Sequence, residues 1–135
     1  MNGGSRQMII DTSALLAIFL GEPERRRFLD AVIQAETRSI SAANSLETGI
    51  VLEARRGESA GREFDLFLRQ AKIDVVPVDA DQVEIARLAW RKYGKGRHPA
   101  ALNFGDCFAY ALAKASGEPL LAKGNDFAQT DIPTI

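Results

Sequence analysis

Residues 8–20 read MIIDTSALLAIFL and carry the first signal of how this chain folds. Residues 8–10 are a short apolar run, typical of a buried strand, and the run ends abruptly at Asp11. Thr12 and Ser13 come next, and both residue types cap helices. The stretch therefore predicts a strand followed directly by a helix.

The rest of the chain alternates between helical and strand-like patterns. Alternation of this kind predicts an α/β protein, here a three-layer α/β/α fold with a short, mostly parallel sheet flanked by helices. The apolar, β-rich run from Ile73 to Val78 is expected to be a buried strand. The other predicted strands are 38–40 and 119–122, and the predicted helices are 24–35, 41–56, 64–71, 79–93 and 106–115.

The length of 135 residues fits one domain, which we expect to span residues 8–135. Residues 1–7 read as a flexible leader or a cloning remnant. The single Cys107 cannot form an internal disulfide, and with only one histidine, His98, the usual Cys/His zinc sites are missing. No apolar run approaches the ~20 residues of a membrane helix, so the expected location is the cytoplasm, with no membrane partner.

The net charge of −1 argues against a protein that coats nucleic acid by electrostatics alone. It still allows a local basic patch that contacts RNA beside an enzymatic site.

Two acidic residues follow predicted strands. Asp11 comes directly after the first strand, and Asp126 lies in the polar loop after the strand at 119–122. In an open parallel sheet, functional sites form outside the carboxyl ends of the strands. A structural alternative stands for each: Asp11 can cap a helix, and Asp126 can be a turn residue beside Gly124 and Asn125.

Glu47 lies within an apolar stripe of the helix predicted at 41–56. A carboxylate that faces a core costs free energy unless it is paired or bound to a metal. The alternative is an edge position from which Glu47 reaches solvent or an arginine. The other members of the stripe are Ala43, Ile50, Val51 and Ala54.

Asp106 is a second acid on an apolar helix, where it shares a face with Ala109, Tyr110 and Ala113. The small residues beneath it leave room for something other than side chains. The competing explanation is that Asn103 caps this helix and Asp106 favours its positive N-terminal end.

Four acids near one sheet edge have a common explanation in metal binding. Clustered carboxylates raise one another's pKa unless a cation neutralises them. All-oxygen ligands favour Mg²⁺ or Mn²⁺, and such a site supports phosphoryl chemistry. A phosphatase with an aspartyl nucleophile is an alternative, although it normally has a second Asp where Ser13 stands. A non-catalytic binding module is the other.

Four segments also resemble a known family in order and spacing. They are IDTSALLAI (10–18) with EPE (22–24), the segment 41–47, NFGDC (103–107), and KGNDF (123–127) with Thr130-Asp131. Together they resemble a PIN domain, and more narrowly the VapC-like ribonuclease toxins of type II toxin–antitoxin pairs. The resemblance covers residues 8–132.

This resemblance implies a metal-dependent endoribonuclease that holds one or two Mg²⁺ or Mn²⁺ ions and cuts RNA. It also implies a cognate antitoxin, a homodimer, and contact with operator DNA only through the antitoxin. Carried over, the metal-binding and catalytic carboxylates are Asp11, Glu47, Asp106 and Asp126. The residues expected to support them are Thr12, Ser13, Asn125 and Asp131.

Residues 91–98 read RKYGKGRH and form the densest basic segment. Beside a nuclease site it is a candidate contact for the RNA backbone, with an aromatic ring for stacking, and a solvated loop is the alternative. The candidate residues are Arg91, Lys92, Tyr93, Lys95 and Arg97.

Several aromatic and aliphatic side chains allow two interpretations. The first helix is unusually apolar for a surface element, and its side chains fit either the core or a groove or dimer face for a partner helix. The residues are Leu15, Leu16, Phe19 and Leu20, and the same two interpretations apply to Phe64 and Phe67.

Overall fold

The computed structural model describes residues 7–135, and its centre is a four-stranded, fully parallel sheet in the order β3-β2-β1-β4. This confirms the predicted α/β class. Of the predicted leader, residues 1–6 lie outside the described residues, and Gln7 already belongs to the first strand. The strands are β1 (Gln7–Ile10), β2 (Thr37–Ser41), β3 (Ile73–Val76) and β4 (Leu120–Leu121).

Six α-helices are found among the described residues. They are α1 (Thr12–Phe19), α2 (Arg25–Gln34), α3 (Ala42–Arg56), α4 (Glu58–Gln70), α5 (Ala80–Tyr93) and α6 (Phe104–Ser116). The N-cap of α1 is Asp11 rather than the two hydroxyl residues expected to cap it. Ser41, Asp79 and Asn103 cap α3, α5 and α6 with their side chains.

Side-chain alternation along β1 separates two cores. Met8 and Ile10 pack on one face of the sheet, against α1, α2 and α4, whereas Ile9 packs on the other, against α5 and α6. All three side chains are buried, as a central parallel strand requires. The result is the expected three-layer arrangement.

The strand at 73–78 is shorter and more exposed than the sequence indicates. β3 ends at Val76, and only Ile73 is buried, while the exposed fraction of Val75 is 46%. The reason is its position at the edge of the sheet, where it pairs only with β2.

The predicted buried stripe on α3 is wrong. Ile50 is 58% exposed, and the residues that α3 buries are Asn44, Thr48 and Leu52. Burial of Thr48 is tolerated because its hydroxyl finds a partner and donates to the Asn44 carbonyl at 2.8 Å.

Helix α1 is held on α4 by aromatic contacts. The Phe19 ring meets the rings of Phe64 and Phe67 edge-on, with centroids 5.7 and 5.3 Å apart. Phe64 is fully buried, whereas Phe19 and Phe67 are partly exposed beside a groove between α1, α2 and α4. Among residues 7–135, no helix is long and apolar enough to cross a membrane.

Candidate functional site at the carboxyl edge of the sheet

The four predicted carboxylates lie on segments near the carboxyl ends of the parallel strands. Asp11 follows β1, Glu47 lies in the second turn of the helix after β2, and Asp126 lies in the loop after β4. Asp106 joins them from the first turn of α6. Burial is the main cause that raises the pKa of Asp11 and of Asp106. The charges of Asp106 and Glu47 add to it at Asp11, and those of Asp126 and Glu47 add to it at Asp106. The fold therefore brings all four predicted acids into one electrostatic neighbourhood.

Asp11 is the most deeply placed acid. It caps α1 by accepting a 3.0 Å hydrogen bond from the Ser13 backbone N–H, so the structural interpretation of this residue holds alongside the functional one. Its exposed fraction is only 3%. Burial raises its pKa to about 7, despite the opposing hydrogen bonds from Ser13. A buried carboxylate of this kind is stabilised by any cation bound beside it.

Glu47 is half-buried and is held by neighbours from two helices. Its Oε1 accepts a 2.6 Å hydrogen bond from the Thr12 hydroxyl and a 3.3 Å bond from the Asn44 amide. None of the hydrogen bonds described for residues 7–135 uses its Oε2. One oxygen of Glu47 thus fixes the side chain and the other stays available.

Asp106 forms a capping box with Asn103. The Asp106 carboxylate accepts from the Asn103 N–H at 3.0 Å, and the Asn103 side chain accepts from the Asp106 N–H at 2.9 Å. Partial burial raises the pKa of Asp106, and the bond from Asn103 opposes that rise. Asp106 therefore does have the helix-capping role that was the alternative interpretation. The capping box uses only one of its carboxylate oxygens, Oδ2.

Asp126 and Asn125 are exposed in the loop after β4. This loop is tied to α1, because the Ser13 hydroxyl accepts a 2.9 Å hydrogen bond from the Lys123 N–H. The Lys123 ammonium also pairs with Glu22 at 3.1 Å. Ser13 thus links the segment that carries Asp126 to the helix that Asp11 caps.

Asp131 makes its contacts along α6 rather than with the four acids. It accepts from the Tyr110 hydroxyl at 2.6 Å and pairs with the Lys114 ammonium at 2.7 Å. These bonds fasten the C-terminal segment to the outer part of α6. Any support that Asp131 gives to the site is indirect.

The basic segment differs from expectation at its aromatic residue. Tyr93 is buried against the rings of His98 and Tyr110, so its ring offers no stacking surface for RNA. The four predicted cations are exposed. The nearby exposed aromatic ring is that of Trp90, over which the Arg97 guanidinium lies at 4.2 Å.

Two residues at this edge were not predicted as site residues, although they lie in the segments 41–47 and 103–107 that carry the family resemblance. Asn44 is fully buried and donates to the Gly105 carbonyl at 3.0 Å as well as to Glu47. A Cβ added at Gly105 would lie 2.5 Å from Glu47 Oε2, so a glycine is required for this contact. The available signals were an amide three residues before an acid on one helix, and a glycine next to Asp106.

The donor set suits a hard divalent cation, although it is not a tight cluster. Among the described residues, no three Asp, Glu, His or Cys side chains stand close enough to form a ready-made metal centre. The four acids interact through their charges, and all supply oxygen, the donor that Mg²⁺ and Mn²⁺ prefer. The buried Asn44 Oδ1 has no hydrogen-bond partner, which leaves an oxygen acceptor beside Glu47. These residues fit such an ion.

The chain belongs to the PIN-domain family, because the family model described as "PIN domain" matches residues 8–133. Within that family it is similar to proteins named VapC. Ribonuclease VapC30 of Mycobacterium tuberculosis is 57% identical over 128 residues, covering 95% of this chain and 98% of that protein. Ribonuclease VapC of Mycolicibacterium smegmatis is 56% identical over 128 residues, covering 95% and 99%.

Solved structures share the fold. VapC20 of Mycobacterium tuberculosis, described as a sarcin–ricin loop cleaving toxin, has a TM-score of 0.76 at 21% identity, over 95% of this chain and 98% of that one. VapBC2 from Rickettsia felis, bound to a DNA fragment from its promoter, has a TM-score of 0.72 at 15% identity, over 95% and 96%.

Proposed function

We propose that this chain is a metal-dependent endoribonuclease, acting in the cytoplasm as the toxin of a type II toxin–antitoxin pair. The observation that carries the proposal is the electrostatic neighbourhood of Asp11, Glu47, Asp106 and Asp126, because the charges of neighbouring acids add to the burial that raises the pKa of Asp11 and of Asp106. The names of relatives at 57% identity, which call them VapC ribonucleases, support the same activity.

The four carboxylates are the groups that would hold one or two Mg²⁺ or Mn²⁺ ions. When bound, such an ion polarises a phosphate oxygen and promotes the attack of water on phosphorus. Thr12 orients Glu47 by its 2.6 Å hydrogen bond, and Asn103 orients Asp106 through the capping box. Asp11 is fixed as the cap of α1 and is buried. Because it is shielded from water, its charge acts strongly on a nearby ion.

Cleavage of RNA by the purified protein tests the activity. Discrete cuts are expected with Mg²⁺ or Mn²⁺, and no cuts with EDTA or in the Asp106→Asn variant. Asp131→Asn is the matched control, because Asp131 pairs with Tyr110 and Lys114 instead of the site, and it should cut normally. A wild-type protein freed of any bound antitoxin that cuts nothing would contradict the proposal.

A thermal scan separates the enzyme from the non-catalytic binding module. We expect Mn²⁺ to raise the melting temperature of the wild-type protein and of Asp131→Asn, but to raise that of Asp11→Asn far less. A binding module whose acids are only caps and surface charges predicts no rise in any of the three.

The groove between α1, α2 and α4 is proposed to receive a segment of the antitoxin. It has a volume of about 400 Å³, is lined by side chains that include Phe19, Leu20 and Phe67, and is flanked by Arg25 and Arg56. Leu20→Asp should weaken antitoxin binding measured by calorimetry. Leu66→Asp, which changes an exposed leucine outside the groove, should not. Operator DNA is expected to bind only when the antitoxin is present.

A second copy of the chain is proposed to pack on the exposed apolar side chains of α3, α5 and α6. Exposed apolar patches of this kind mark interaction surfaces. Phe104 is 81% exposed at the centre of this surface, so Phe104→Ser should lower the mass measured by light scattering from dimer to monomer. Ile33→Ser is the control, because Ile33 is an apolar residue on α2 that is also largely exposed, at 69%. The surface consists of Leu46, Ile50, Val83, Trp90 and Phe104.

A further inference from the structure

Asn44 is a buried amide whose two donors reach two different helices. Its Nδ2 donates to Glu47 Oε1 at 3.3 Å within α3 and to the Gly105 carbonyl at 3.0 Å in the first turn of α6. The side chain therefore connects the helix that carries Glu47 with the helix that carries Asp106.

The orientation of this amide is fixed by its neighbours. Both groups that face Nδ2 are acceptors, a carboxylate and a carbonyl, so a flipped amide would place Oδ1 against two oxygens. The Asn44 backbone carbonyl is also engaged, since it accepts from the Thr48 hydroxyl at 2.8 Å and from the Thr12 hydroxyl at 3.3 Å.

Stability alone does not account for an asparagine here. Asn44 is fully buried, and its Oδ1 has no hydrogen-bond partner, which is a net cost to folding. A small apolar residue would avoid that cost, but it would remove one of the two donors to Glu47 and the link to the Gly105 carbonyl. The amide is therefore explained by what it holds in place.

Gly105 completes the arrangement. A Cβ at this position would lie 2.5 Å from Oε2 and 2.7 Å from Oε1 of Glu47, so the carboxylate rests directly against the backbone of α6. The hydrogen bond from Asn44 and the absence of a Cβ at Gly105 together allow the Glu47 carboxylate to lie close to the backbone of α6.

We propose that Asn44 is a positioning residue that holds the Glu47 carboxylate against the N-terminal turn of α6, the turn that carries Asp106. Its chemical purpose rests on the proposed nuclease function. The coupling between Asn44 and Glu47, in contrast, is a property of the metal-free protein and can be measured without RNA.

The first experiment is a double-mutant cycle on metal-free protein, using Asn44→Ala, Glu47→Ala and the pair, with urea unfolding as the readout. We expect a coupling of about threefold or more in the unfolding equilibrium constant. Gln82, a buried amide on α5 that donates to the Pro77 carbonyl, supplies the control, and Gln82→Ala should be additive with Glu47→Ala. If Asn44→Ala does not fold, Asn44→Ser replaces it. An additive Asn44–Glu47 pair would overturn the proposal.

The second experiment compares RNA cleavage by Asn44→Asp and Gln82→Glu, which each put a carboxylate in place of a buried amide. Asn44→Asp should lose about tenfold or more of the rate, because it presents an oxygen to the Glu47 carboxylate. Gln82→Glu should stay near wild type. Normal cleavage by Asn44→Asp would overturn the role. If the wild-type protein itself cuts nothing, the nuclease proposal fails, and the coupling alone decides whether Asn44 holds Glu47.

Discussion

The Thr12 hydroxyl donates a 2.6 Å hydrogen bond to Glu47 Oε1 and joins the first turn of α1 to the second turn of α3. Thr12 is the residue directly after Asp11, so the backbone that places the first acid also carries the donor that orients the second. The bond is short and its acceptor is a carboxylate, features of the stronger hydrogen bonds in proteins. The hydrogen bond therefore fixes the position of Glu47 relative to Asp11.

Replacing Thr12 by valine keeps the shape of the side chain and removes this donor. We expect a loss of about 1–3 kcal/mol in the free energy of unfolding, because the carboxylate loses a buried partner. Cleavage of RNA should fall by roughly tenfold or more, on the scale that misplaced catalytic groups produce. Thr12→Ser keeps the hydroxyl and should retain most of the stability and most of the cleavage rate. A serine variant as impaired as the valine variant would contradict the explanation.

Gly105→Ala tests the contact between α6 and Glu47. The added Cβ would displace the Glu47 carboxylate, the mobile end of a side chain, so the fold should survive while RNA cleavage falls. Gly61→Ala is a matched control on α4, where the new Cβ would meet the carboxylate of Glu53 outside the site. Circular dichroism and cleavage rates on both variants are the measurements. Equal loss of activity in the two would rule out a specific role for Gly105.

The raised pKa of Asp11 predicts a dependence of stability on pH in metal-free protein. Because the folded-state pKa is about 7, well above its ordinary value of 3.8, ionisation of Asp11 opposes folding. Stability from this group is complete below about pH 4 and is lost as the pH rises to about 7. Asp11→Asn keeps the helix cap and should be more stable than wild type at pH 8, by up to ~4 kcal/mol.

Urea unfolding of wild type and Asp11→Asn at pH 5 and pH 8 measures this effect. Added Mn²⁺ should reverse the order at pH 8, because a bound cation stabilises the ionised form. A wild-type protein whose metal-free stability is the same at both pH values would show that Asp11 ionises without cost.

Asp131 should show the opposite dependence on pH. Its bonds from Lys114 and then from Tyr110 lower its pKa, so its contribution is present at neutral pH and is lost as the pH falls below about 4. Because the pair is partly exposed, Asp131→Asn should cost no more than about 1 kcal/mol at pH 7. Near pH 2, wild type and variant should unfold alike. A difference that persists at pH 2 would point to packing instead.

Local patterns predicted much of the architecture. The apolar run before Asp11 predicted β1, and the period of two in a strand accounts for the separation of Met8 and Ile10 from Ile9. Alternating strands and helices predicted the parallel sheet, and with it the edge at which β1 and β4 end before Asp11 and Asp126. These inferences succeeded because they depend on neighbours in sequence and on the rule that parallel strands end on one side.

Sequence patterns alone were enough to predict the α/β class, and to select Asp11, Glu47, Asp106 and Asp126 as candidate metal ligands. Only the tertiary structure decided which face of α3 is buried, that the Tyr93 ring is covered by His98, and that Asn44 meets Gly105 across 61 positions of sequence. The physical reason is the range of the forces. Capping and periodicity act within a few residues, whereas the approach of α6 to α3 depends on how both helices pack on the completed sheet.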